Sequence, residues 1–180
     1  MQDNTLDPWI QFFKTIIDMK LPEELTSVTD NGEEIVKRDK SIHWKIKGLT
    51  AKLTYRIFIK YGNPKIVEDT TIIKSFSNNF SFKYSIALLE SHLQILLSRK
   101  TGFVGSKALS FAIKFISSST KQVTTMEKLK PFVENILYDT IVPILFITER
   151  DITMFETEPI EYIRCQYDFT ETLFQPKNQV

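Results

Sequence analysis

The stretch IHWKIKGLTAKLTYRIFIKYG, residues 42–62, decides the fold expected of this chain. Wound as an α-helix at roughly 100° per residue, it carries two apolar stripes on nearly opposite sides. The first stripe is Ile42, Ile46, Leu49, Leu53 and Ile57, and the second is Trp44, Gly48, Ala51, Tyr55 and Phe58. An ordinary surface helix has a single apolar face. A helix with two is expected to have packed neighbours on both, as in a stacked helical array.

Two polar seams separate these stripes. One seam is His43, Lys47, Thr50 and Thr54, and the other is Lys45, Lys52 and Arg56. The basic seam, continued by Lys60, is the best binding candidate of the sequence. A solvated edge of a buried helix is nevertheless the favoured interpretation of this seam, ahead of a binding site. The same two interpretations apply to Lys107 and Lys114 on a later helix.

Composition indicates a folded helical protein. The chain has 180 residues, enough for one domain or a few stacked helical units. Its 23 basic and 22 acidic residues leave a formal net charge of +1, which provides no argument for nucleic acid or an anionic membrane. Five Gly and seven Pro are too few for an all-β chain rich in tight turns.

Compartment and topology follow from what the sequence lacks. The single cysteine, Cys165, permits no internal disulfide and suits a reducing compartment. The chain has no run of about 18 apolar residues, so we expect no membrane insertion. Its first residues, MQDNTLDPW, lack the pattern of a signal peptide.

Helical periodicity and caps predict an all-α chain with short connections. The predicted helices are about 8–18, 41–61, 67–99, 103–119, 125–146 and 158–173, with residues 19–40 as an exposed linker. Asp39 or Ser41 is expected to cap the 41–61 helix, and Pro143 to kink or split the 125–146 helix. In the 103–119 helix, the strip Lys107, Ser110, Lys114 and Ser117 is expected to face water. We expect antiparallel helical hairpins stacked as HEAT-like repeats, an α-solenoid fragment in which residues 1–180 form a single segment.

No catalytic, cofactor or metal site is predicted. The two histidines, His43 and His92, and Cys165 show no local pattern that pairs a thiol with an imidazole or spaces zinc ligands. The chain is therefore not expected to be an enzyme, and a helical enzyme is the least favoured alternative. Residues 30–33 lack the full spacing of a calcium loop, and the sequon at Asn79 lies in an apolar helix, so both are discounted.

Carboxylates cluster in predicted linkers and first helical turns. The clusters are Glu33–Glu34, Glu68–Asp69, Glu149–Asp151, and Glu156, Glu158 and Glu161. Acid–base catalysis needs carboxylates in a pocket that separates their pKa values. At these places, solubility and a favourable interaction with a helix N-terminus are the simpler explanation.

Three stretches of the chain carry motifs that are informative together. The stretches are HWKIKGLTAKLTYRIFIKYGNP, LKPFVENILYDTIVPILFIT and FETEPIEYIRCQYDFTE. Their motifs are Trp44–Lys45, Tyr61–Gly62–Asn63–Pro64, Leu129–Lys130–Pro131 and Pro159–Ile160–Glu161–Tyr162–Ile163–Arg164. In this order and at these spacings they resemble the importin-β superfamily of nuclear transport receptors, and within it the branch of importins seven and eight and their yeast relatives. The last motif is the most specific, and the likeness covers about residues 6–169.

The resemblance implies an internal part of a longer HEAT superhelix. It implies a receptor that binds protein cargo, Ran-GTP and Phe-Gly nucleoporins and shuttles between cytoplasm and nucleus for nuclear import. No motif here assigns a residue to any of these partners. The alternative function is a generic α-helical repeat scaffold or adaptor for protein–protein interaction, outside nuclear transport.

Overall fold

The structure is a computed structural model that describes residues 6–29, 31–65, 67, 71–147 and 149–167. Within those ranges the chain is helical and contains no β-strand. The helices are α1 (Leu6–Asp18), α2 (Gly32–Asp39), α3 (Ile42–Tyr61), α4 (Thr71–Lys83), α5 (Ser85–Ser98), α6 (Ser106–Ser119), α7 (Val123–Leu129), α8 (Val133–Ile136), α9 (Val142–Leu145), α10 (Glu149–Thr157) and α11 (Pro159–Tyr167). The all-α fold expected from the sequence is therefore confirmed.

One layer of the array is built by α3 and α6, which lie side by side and run in the same direction. Their ring contacts advance together along both helices, with Tyr55 meeting Phe111 at 5.8 Å between centroids and Phe58 meeting Phe115 at 4.4 Å. Gly48 permits the close approach, because a Cβ on it would lie 2.9 Å from the Cβ of Lys107. Such parallel stacking of two helices that are separated in the chain by a helical return segment, here α4 and α5, is the geometry of a helical-repeat array.

The second layer contains α1, α5 and the segment 123–145. Lys14 of α1 bonds Ser91 of α5 at 3.0 Å, and Thr140 donates to the carbonyl oxygen of Leu96 at 3.1 Å. The helix α5 therefore lies between two neighbours of its own layer, and it also packs against α3 and α6. This two-layer stacking is what the HEAT-like prediction requires.

The layers are joined by a core of aromatic and aliphatic side chains around His92. The imidazole ring of this fully buried residue stacks on Phe115 with centroids 4.0 Å apart. Its Nε2 lies 3.2 Å from Thr54 Oγ1, and its Nδ1 lies 2.7 Å from the Leu88 carbonyl oxygen. One side chain thereby connects α3, α5 and α6.

Only one of the two apolar stripes of α3 is buried. Trp44, Ala51 and Phe58 are 5%, 0% and 2% exposed, whereas Ile42 and Leu49 are 63% and 48% exposed. The prediction of packed neighbours on both sides is wrong for the described residues, because α6 and the second layer cover one side of α3 only. The uncovered stripe, Ile42, Ile46, Leu49 and Leu53, is called the open edge below.

The segment 19–40 differs from the exposed linker that was expected. It contains a 3₁₀ turn at Glu23–Leu25 and the helix α2. The Asn31 side chain accepts hydrogen bonds from the amides of Glu33 and Glu34, which starts this helix. Arg38 in the last turn of α2 is 6% exposed and donates to the Ser27 carbonyl oxygen, which attaches the end of this helix to the preceding segment. Eight residues with few apolar groups are too short for a periodicity signal.

Several predicted helices are divided or end elsewhere. The segment 67–99 forms α4 and α5 with a break at Tyr84, and the Ser77 hydroxyl of α4 donates to the Tyr61 carbonyl oxygen at the end of α3. The helix predicted at 125–146 begins two residues earlier, at Val123, and is divided into short helices. It includes a π-helical turn, Leu137–Ile141, shortly before Pro143, whose backbone nitrogen carries no N–H group for a helical hydrogen bond. Residues 149–157, which lie between two predicted helices, form the helix α10. Residues 168–173 of the last predicted helix lie outside the described residues.

Candidate functional site

The candidate site is a basic face built by the outer edges of α3 and α6. We define the basic face as Lys45, Lys52, Arg56 and Lys60 of α3 with Lys107 and Lys114 of α6. Neither helix contains an acidic residue. The two basic strips that the sequence separates by about fifty positions therefore become neighbours, because α3 and α6 stack in parallel.

Aromatic side chains lie between the basic ones. The ammonium group of Lys52 lies 6.0 Å from the centre of the Phe111 ring, and that of Lys114 lies 5.0 Å from it. Tyr55 packs against the same ring. Cation–π attraction of this kind holds the two lysines over the groove between the helices.

Electrostatic coupling shows how close the two strips are. Burial lowers the pKa of Lys107 and of Lys114, and the charge of Lys52 lowers both further. Like charges that oppose one another across two helices favour binding of an anionic group. Lys45 and Arg56 are exposed beside them, as expected of an outer edge of the array. The basic face is thus suited to an acidic protein surface.

Two details of the predicted polar strips are different in the structure. Ser110, expected to face water, is 0% exposed, because α6 is buried over most of its circumference. Lys47, placed by the sequence in an ordinary polar seam, is 8% exposed and donates to the Ile17 carbonyl oxygen at 2.8 Å. Periodicity indicated this seam as polar, but it could not show that α1 packs on it.

The histidines and the cysteine are not brought into a common site in the described part of the chain. His92 is in the core, where burial lowers its pKa to about 4. His43 is half-buried near the start of α3. Cys165 is on α11, and its side chain lies outside the described residues.

The predicted carboxylate clusters remain separate. Glu33 and Glu34 are in the first turn of α2, Glu149 and Asp151 are in the first turn of α10, and Glu161 pairs with Arg164 at 3.6 Å. Glu68 and Asp69, and Asp30 of the discounted calcium loop, lie outside the described residues. The side chains that are described contain no group of three or more His, Cys, Asp or Glu able to hold a metal ion.

Two further expectations concern the surface. Asn79 of the sequon is exposed on α4. Among the described helices, none combines the length and the apolar character needed to cross a bilayer.

Comparison with known proteins gives a consistent group of relatives. Importin-8 of Mus musculus is 27% identical over 173 residues, which is 96% of this chain and 16% of that protein. The importin beta-like SAD2 homolog of Arabidopsis thaliana is 24% identical over 175 residues, 97% of this chain and 16% of that protein. Nonsense-mediated mRNA decay protein 5 of Saccharomyces cerevisiae is 26% identical over 182 residues, again 97% of this chain and 16% of the relative.

These relatives are members of the importin-β family, and the resemblance inferred from the motifs is confirmed. The chain spans about a sixth of their length. No family model and no solved structure matches the chain.

Proposed function

We propose that the chain is a segment of a nuclear transport receptor and that it acts by binding, not by catalysis. The observation that carries the proposal is the similarity to importins along nearly the whole chain, at 27% identity over 96% of its residues for the mouse relative. The parallel stacking of α3 on α6 and of α1 on α5 supports it, because such arrays present long edges to partners. Since the chain spans 16% of these relatives, the activity of a whole receptor is part of the proposal.

The proposed partners are protein cargo, Ran-GTP and Phe-Gly nucleoporins, and the proposed location is both cytoplasm and nucleus. The basic face supports a protein partner with an acidic surface, because opposite charges steer encounter and fix orientation. Its lysines and arginine come from two helices, so a partner that binds there contacts two neighbouring elements of the array.

The test uses the full-length protein, immobilised and loaded with proteins from a nuclear extract. Ran loaded with a non-hydrolysable GTP analogue is expected to release the bound proteins, and Ran-GDP is not. Proteins that stay bound in both nucleotide states would contradict the transport role and support the scaffold alternative.

A charge-matched pair of variants examines the basic face in the same assay. Reversal at Lys45 and Arg56 is expected to reduce cargo retention, because both are exposed on the basic face. Reversal at Lys121 and Lys128, exposed elsewhere, changes the net charge equally and is expected to have no effect. Equal effects of the two reversals would exclude the basic face as the binding surface.

A further inference from the structure

An open cavity of about 370 Å³ lies where α1 and α5 end and α3 begins. Trp44 and Phe103, packed edge to face with centroids 5.9 Å apart, form one wall of it. Ile17 and Ile95 extend the apolar lining, and Gln94 stands at the exposed rim. The volume is within the range of small-molecule and side-chain pockets. It is separate from the basic face, which uses the outer edges of α3 and α6.

Lys47 brings a buried positive charge to this lining. An ammonium group has three donors. Among the described residues, the carbonyl oxygen of Ile17 is the one acceptor within hydrogen-bond distance, at 2.8 Å, and the Trp44 ring lies 5.8 Å away. The hydrogen bond to the last turn of α1 satisfies one of the three donors. It also places the ammonium group at the negative end of that helix, which is favourable for a positive charge. The charge of Asp18 offsets part of the cost of desolvating the ammonium group, but two of its donors have no acceptor among the described residues.

The charges on the lining favour an anion. Lys20 and Lys47 contribute two positive charges, and the single acidic residue, Asp18, has a carboxylate 2.6 Å from the ammonium group of Lys14. A carboxylate in the cavity would meet the remaining donors of Lys47, and charge-assisted hydrogen bonds of this type are about twice as strong as neutral ones. The aromatic and aliphatic wall favours an apolar neighbour for that carboxylate.

We propose that the cavity binds an acidic side chain of a peptide segment, with Lys47 pairing with its carboxylate and an adjacent aliphatic side chain packed against Trp44 and Phe103. The partner is therefore a protein segment in which Glu or Asp stands beside Leu or a similar residue. This site does not depend on the transport role, because it follows from the contacts of described residues alone.

The experiment is a titration of the ¹⁵N-labelled 180-residue chain, monitored at its two tryptophan indoles. The Trp44 indole donates to the Leu25 carbonyl oxygen at 3.0 Å and lies on the cavity, while Trp9 is 60% exposed on α1 and acts as an internal control. The probes are acetyl-Leu-Glu-Leu-amide and acetyl-Leu-Gln-Leu-amide, which differ in charge and hardly in size. We expect the Glu peptide to shift the Trp44 resonance in a saturable way, and the Gln peptide to bind at least tenfold more weakly.

Two protein variants complete the experiment. Lys47→Met keeps the length of the side chain and removes its charge, so the Glu peptide should bind at least tenfold more weakly. Lys128→Met removes an exposed charge that belongs neither to the cavity lining nor to the basic face, and it should leave binding unchanged. If Lys47→Met fails to fold, Gln94→Phe narrows the cavity while Lys47 is retained, and it should weaken binding of the Glu peptide.

Three results would overturn the proposal. They are equal affinity for the two peptides, an unchanged affinity in folded Lys47→Met, and the absence of a saturable Trp44 shift up to about 10 mM peptide.

Discussion

Acidification should destabilise this protein through His92. The side chain is 0% exposed and stacks on Phe115. Removal from water disfavours the charged imidazolium, and this outweighs the hydrogen bond to the Leu88 carbonyl oxygen, so the pKa is lowered from 6.5 to about 4. Between these two pH values the unfolded chain takes up a proton that the folded chain resists.

The size of the effect follows from the two pKa values. Because the folded-state pKa is the lower one, the full contribution to stability is present above pH 6.5 and is lost as the pH falls toward 4. The whole difference corresponds to about 3.4 kcal/mol, at 1.36 kcal/mol per pH unit. By pH 5 the linkage relation already predicts a loss of about 2 kcal/mol relative to pH 7.5. This is a large part of the stability of an ordinary domain.

The assay is urea unfolding of the 180-residue chain at pH 7.5, 6.5, 5.5 and 5.0, in parallel with the variant His92→Gln. The variant is expected to be less stable at every pH, because it loses the stacked ring. Between pH 7.5 and 5.0 the free energy of unfolding of the variant should fall by about 2 kcal/mol less than that of the original chain, since the other titrating groups contribute equally to the two proteins. His43→Gln, which removes a half-buried imidazole outside the core, is the matched control. Identical pH dependence in His92→Gln and the original chain, or an imidazole of His92 that titrates near 6.5 by NMR, would refute the reasoning.

Three further changes examine the packing. Gly48→Ala should destabilise the chain by about 1–2 kcal/mol in urea unfolding, because the new Cβ would lie 2.9 Å from the Cβ of Lys107. When Gly48→Ala is combined with Lys107→Gly, the loss of stability should be smaller than the sum of the two single losses, because the clash is removed. Leu53→Ser on the open edge should cost about 1 kcal/mol in urea unfolding and reduce binding of a dye for apolar surfaces, because the Leu53 side chain is 46% exposed and only the buried part of it contributes to stability. Asp39→Ala removes the carboxylate that accepts a hydrogen bond from the amide of Ser106 at 2.7 Å. It should lower the free energy of unfolding by about 1 kcal/mol and speed hydrogen exchange at that amide. Asp39→Asn keeps an acceptor oxygen and should retain most of this hydrogen bond. A neutral Gly48→Ala, a loss of more than about 2 kcal/mol for Leu53→Ser, or unchanged exchange at Ser106 would each contradict the corresponding feature of the structure.

The candidate site was partly visible in the sequence. Lys45 and Arg56 were expected on an outer edge of α3, and both are exposed there. That Lys107 and Lys114 join them depends on α3 and α6 stacking in parallel, which no local pattern specifies. The cavity beside Lys47 was not predicted, because a lysine in a polar seam has the same sequence signature whether a helix packs on it or not.

Local signals alone determined the helical class and the position of α3. Its caps and period are properties of neighbouring residues, and Ser41 does accept a hydrogen bond from the Trp44 amide as one of the two expected caps. Tertiary packing decided the rest. It buried the stripe of Trp44 and left that of Leu49 open, because two equally apolar stripes do not specify which side a neighbour takes. It also set Asp39 at the start of α6, where the acceptor and the helix that it caps are 67 positions apart along the chain.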